Sequence, residues 1–143
     1  MRRTALMFTF GIALGIAAPG FLGAGDGAAE VITGTWHGRS HCEDLEVAPA
    51  CEEGEIDLVF RLVPGPEGEI VRLAAAKRVG DERVPMDEMD FVYDPATWSW
   101  ISEVRTEEFH GRWTYRIFEF ILHGTLVVLP SHTVVQRVSA ERP

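Results

Sequence analysis

Apolar and polar residues alternate along most of the chain. Ile56, Leu58, Phe60 and Leu62 fall on one face of Glu55 to Val63, with Asp57, Val59, Arg61 and Val63 on the other. This is the period-two pattern of a half-buried strand. The same period sets Met89, Phe91 and Tyr93 against Glu88, Asp90 and Val92. It sets Trp98, Trp100, Ser102 and Val104 on one face of the next segment, then Phe109, Gly111, Trp113, Tyr115 and Ile117 against His110, Arg112, Thr114 and Arg116. Thr33 to Ser40, Gly124 to Leu129 and Thr133 to Ala140 also read as strands. Glu69 to Val79 joins them despite its alanines, because Ile70 and Val71 open it and turn signals flank it. Pro64 to Gly68, Gly80 to Glu82, Asp94 to Thr97, Thr106 to Glu108 and Pro130-Ser131 punctuate the series. Pro85 disturbs the start of the fourth strand. A hairpin is expected near Glu119-Phe120, where no glycine or asparagine marks it. A four-residue type I turn and one long bent strand both remain open there.

Eight strands result, with turns about every 8–12 residues and no helical segment of convincing length, which predicts an all-β sandwich or barrel. Eight antiparallel up-and-down strands can close on themselves and abolish exposed edges. The expected fold is therefore a single eight-stranded β-barrel over residues 30–143.

The chain starts differently. Met1, Arg2 and Arg3 precede an apolar run, Ala5 to Ala18, that is short against the ~20 residues of a membrane span. A small-residue stretch, Pro19 to Ala29, comes next, with cleavage points such as Ala24 or Ala29. Residues 1–29 read as a signal peptide and short linker, which implies a periplasmic or secreted protein with no membrane attachment after cleavage. The net charge is −9 at pH 7. That argues against nucleic acid as a partner. The two cysteines, Cys42 and Cys51, are most simply a disulfide in an oxidising compartment. Between them, Asp44 to Val47 has room for one helical turn.

Gly34-Thr35-Trp36 on the first strand, answered by Arg137 on the last, resembles the signature of the calycin barrels, the lipocalins and their relatives. The resemblance implies a lipocalin-like barrel whose end is plugged by the Trp36 indole, with Gly34 allowing a tight bend and a guanidinium laid on the ring. Arg142 rivals Arg137 for that place. Avidin-like barrels and small periplasmic protease inhibitors share the Gly-x-Trp start and the eight strands.

Candidate chemistry is sparse. Trp98, Trp100, Trp113, Tyr115 and Phe91 fall on expected interior faces, where they either fill the core or line a pocket for a small apolar or amphipathic ligand. Ser102, Tyr115, Tyr93 and Thr125 are the polar groups that could orient such a ligand. The histidines, His37, His41, His110, His123 and His132, match no compact zinc motif, and residues four apart on a strand are roughly 13 Å distant. No nucleophile has an identifiable base, so no catalytic residue, metal or cofactor is assigned and an enzyme is not expected. Two non-enzymatic readings remain: a ligand-binding barrel, and a protein-interaction module or inhibitor of an exported enzyme acting through the disulfide loop and hairpin ends.

Overall fold

A computed structural model of the chain describes residues 26–143. The apolar run and most of the expected leader lie outside the described residues. The elements are α1 (Asp26–Ile32), β1 (Gly34–Cys42), β2 (Gly54–Gly65), β3 (Gly68–Val79), β4 (Glu82–Pro85), β5 (Met89–Asp94), β6 (Ser99–Arg105), β7 (His110–Phe118), β8 (Ile121–Val128) and β9 (Thr133–Glu141).

Every strand pairing is antiparallel, and β1 pairs with β9 to close the ring. β4 and β5 together make one stave. β4 pairs with the second half of β3, where Ala76 faces Pro85, and β5 with its first half, where Val71 faces Phe91. The break comes after Pro85, which has no N–H for a ladder. Met86 still donates its N–H to the Ala75 carbonyl at 2.9 Å. The result is the closed eight-stranded antiparallel barrel that the alternation predicts.

The two ends of the barrel differ. At one, the helix end, lie α1, the start of β1, the close of β9, and the β2–β3, β5–β6 and β7–β8 hairpins. At the other, the loop end, lie the Cys42 to Cys51 segment and the β3–β4, β6–β7 and β8–β9 connections.

Between them the inward residues form one core of Leu58, Phe60, Val71, Leu73, Phe91, Trp100, Tyr115, Leu122, Val138 and Ala140. Phe60, Phe91 and Tyr115 meet edge to face with centroids 5.4–6.3 Å apart. This geometry favours aromatic quadrupoles and fills the barrel with rings. Tyr115 lies directly over Gly124 of the paired strand, where an added Cβ would come within 2.5 Å of the ring. Gly38 is tighter still, since a Cβ there would collide with the Ser139 carbonyl oxygen. Both glycines let a bulky neighbour or the β9 backbone close in.

α1 covers the end of the small-residue stretch and the three residues after it, which the alternation leaves unassigned. Its Ala29 and Ile32, three apart and so on one face, are both buried in the core. The expected domain boundary between residues 29 and 30 therefore falls inside this helix. Cleavage after Ala24 would leave α1 whole, whereas cleavage after Ala29 would remove half of its packed face.

Candidate functional site

Trp36 plugs the helix end, as the Gly-x-Trp motif implies. Its ring is buried, and its indole N–H donates to the Ile32 carbonyl at 2.8 Å, which ties β1 to the last turn of α1. The arginine over it is Arg142, not Arg137. The Arg142 guanidinium carbon sits 4.2 Å from the ring centroid, while Nη1 donates to the Thr33 carbonyl at 3.0 Å and Nη2 to that of Val31. The reason is phase. Val138 and Ala140 point inward, so Arg142 shares their side of β9, whereas Arg137 points outward and reaches Glu43 at 3.2 Å.

Outside this cork, three aromatic side chains stand in solvent. Trp98 is 77% exposed, Phe118 67% and Phe120 91%, with Val31 of α1 at 51%. Extending the β6–β7 register, in which Trp100 faces Tyr115, brings Trp98 level with Ile117, next to Phe118. The hairpin stands where the sequence expects it, but as a two-residue turn, because Phe118 pairs with Ile121. Glu119 (φ 48°) and Phe120 (φ 67°) both take left-handed backbone, and Trp98 (φ 53°) does so in the neighbouring hairpin. Two left-handed residues make the primed turn that fits strand twist, normally built from asparagine and glycine. A bulky residue there is strained by about 1–3 kcal/mol, and such strain gathers at functional sites.

The turn and α1 flank a cleft of about 490 Å³, lined by Val31, Trp36, Ile117, Phe120 and Ile121 together with Glu119, Glu141 and Arg142. Apart from Trp36 and Arg142, the sequence pattern gives these residues no functional role: Ile117 reads only as a strand position and Glu119-Phe120 only as a hairpin. The readable signal is Phe118, which breaks the polar phase of Arg112, Thr114 and Arg116.

The candidate ligand-contacting residues separate. Phe91, Trp100 and Tyr115 are buried together, and Trp113 is half-buried, stacked on Tyr115 at 5.6 Å. Burial raises the Tyr115 hydroxyl pKa well above its ordinary value. Trp98, expected on the same inner face, points into solvent because its left-handed backbone turns the side chain off the barrel axis. Thr125 lies level with Arg137 on the outer wall, while Ser102 is buried inside and Tyr93 packs against Trp100 at 5.1 Å. The Trp100 indole N–H is buried without a hydrogen-bond acceptor among the described residues.

The loop end is held by polar ties. Cys42 and Cys51 are disulfide-bonded. Asp44 caps the turn between them, accepting from the N–H groups of Glu46 and Val47 at 3.1 and 3.0 Å. Lys77 bonds Glu52 at 2.5 Å, and Gln136 bonds Ser40. A shallow cleft of about 110 Å³ lies beneath, lined by Ser40, Glu52, Ile56, Lys77 and Gln136 among others.

On the outer wall, Asp57 is only 1% exposed, covered by Arg78 at 3.0 Å, Arg83 at 2.9 Å and the His37 ring. Burial alone would raise its carboxyl. The hydrogen bonds and charges of Arg78 and His37 outweigh that and hold it below the ordinary aspartate range. His37 is thus not simply solvated, as a surface histidine would be. Through Arg83 the carboxylate pins the β3–β4 hairpin to the wall. No three His, Cys, Asp or Glu side chains converge as a metal-binding group among the described residues. No family model matches the chain, and no curated protein matches it.

Proposed function

We propose that this protein is an exported, non-enzymatic interaction module that docks a protein partner through the helix end of its barrel. The observation that carries this reading is the placement of Trp98, Phe118 and Phe120 in solvent on adjacent hairpin tips, two of them on strained backbone. Large rings with few rotatable bonds supply much binding area at low entropy cost, and Trp and Tyr lead interface hot spots whereas Leu and Val do not. Among the described residues, the large hydrophobic side chains exposed at the loop end are not aromatic: Leu45, Val47, Val79, Val84 and Met86. A disulfide fits an oxidising compartment, and no helix among the described residues is long and apolar enough to cross a membrane. A lipocalin-like ancestry for the barrel is part of this proposal, resting on Gly34, Trp36 and Arg142.

A photo-crosslinking residue placed at Phe120 and, separately, at Val47 tests the docking end in the native compartment. A discrete adduct from position 120, lost when Trp98 and Phe118 become serine, supports the reading. Adducts only from position 47 would move the interface to the disulfide loop.

One observation favours the second reading, a small ligand within the barrel: the orphan Trp100 N–H, a buried donor that a ligand carbonyl would satisfy. Native mass spectrometry of the purified protein, with a retained small molecule as the positive result, separates that case.

A further inference from the structure

The rim of the helix-end cleft carries the chemistry of the partner, provided that this end is the docking end. The cleft floor is apolar, from Val31, Trp36, Ile117, Phe120 and Ile121. Its charged lining consists of Glu119, Glu141 and Arg142. Arg142 is already committed, face-on to Trp36 and bonded to two backbone carbonyls. Glu119 and Glu141 have no ion-pair partner among the described residues, nor does Glu30 on the exposed side of α1. Arg116, two residues before Phe118 on the outer face of β7, is not part of the cleft lining.

From this arrangement we infer that the helix end takes a cationic, apolar segment of a partner protein: one large apolar side chain enters the cleft beside Phe120, with lysine or arginine on either side to meet Glu119 and Glu141. Complementary rim charge steers encounter and suppresses wrong partners. A second copy of this chain is the poorer occupant. It would bring the same unpaired carboxylates to the same place on a body already at −9, and like charges across an interface repel. An anionic membrane surface is disfavoured by the same repulsion.

The test uses the processed protein and three 12-residue model peptides with one leucine pattern, their polar positions filled by lysine, glutamine or glutamate. Binding is read by fluorescence anisotropy at physiological salt. The lysine peptide is expected to bind at least about tenfold more tightly than the glutamine peptide, with the glutamate peptide weakest. Glu119→Lys with Glu141→Lys should invert that order, and Phe118→Ser with Phe120→Ser should abolish binding while near-ultraviolet circular dichroism confirms the fold. Equal binding of all three peptides, still lost with the phenylalanines, would overturn the cationic assignment and leave the docking end standing. Binding of the lysine peptide that survives both double substitutions would place it elsewhere on the acidic body and overturn the inference. If none of the peptides binds, the docking reading itself falls.

Discussion

The two ends of this barrel are closed by different physics. The loop end is cross-linked by a covalent bridge and an ion pair across the rim, and its β3–β4 hairpin is pinned to the wall by a buried carboxylate under two guanidiniums. The helix end is corked by packing, with Ala29 and Ile32 of α1 and Trp36 buried and one arginine stacked on the indole. Cross-links leave little to recognise, because the groups that make them are spent on each other. A packed cork can carry unsatisfied apolar surface beside it, and here it carries the exposed aromatics. Cross-links and exposed aromatic surface thus lie at opposite ends.

Substitutions at the two ends break or sharpen this contrast. The largest effect is expected from Cys42→Ser with Cys51→Ser. Opening so short a loop costs about 2–3 kcal/mol in the loop-entropy account, seen as a lower midpoint in denaturant melts, with docking at the helix end unchanged. Asp57→Ala comes next, at about 2 kcal/mol, less than a fully buried pair because Arg78 and Arg83 can turn to water. It also carries a pH signature. A carboxyl held below its ordinary value contributes stability that is full above the unfolded pKa and is lost as pH falls through the lower folded one. Asp57→Asn should therefore flatten the acid limb of a stability-versus-pH curve, and an unaltered limb would mean that other carboxylates set it.

Arg142→Ala removes one cation–π contact and two hydrogen bonds from the cork, about 1–2 kcal/mol. Arg137→Ala, on the outer wall, should cost under about 0.5 kcal/mol, as exposed pairs do. One further change has the opposite sign. Glu119→Asn with Phe120→Gly gives the turn the residues its backbone wants, so it should stabilise by about 1 kcal/mol while weakening partner binding. A variant that gains stability and keeps its binding would remove the functional reading of the strain.

Most of the barrel was legible in the sequence, because period-two alternation is a local signal and survives into the fold unchanged. Asp94-Pro95-Ala96-Thr97 illustrates it: the turn expected from residue types forms with Asp94 accepting from the Ala96 N–H at 2.9 Å. Alternation was also enough to choose Arg142 over Arg137, had the phase of Val138 and Ala140 been carried past the strand end. It failed at Trp98, since residues two apart share a face only while the backbone between them stays extended. The seven residues of α1 were hidden for another reason. Too short to show a helical period, they are held by tertiary contacts through Ile32 and Arg142 that only the closed barrel supplies. Asp57 was unreadable as a buried charge because its partners come from β1, β3 and β4, brought together by pairing alone.

The chain has two tyrosines, and each sits against a tryptophan, Tyr93 by Trp100 at 5.1 Å and Tyr115 by Trp113 at 5.6 Å. At that range, light absorbed by the phenol passes to the indole before it can be emitted. Folded protein should therefore be dark at the tyrosine wavelength, and unfolding should switch that emission on. Trp98, alone in water at the helix end, meanwhile contributes the reddest indole band. One cuvette can thus follow the integrity of the barrel and the occupancy of the proposed docking end as two separate colours.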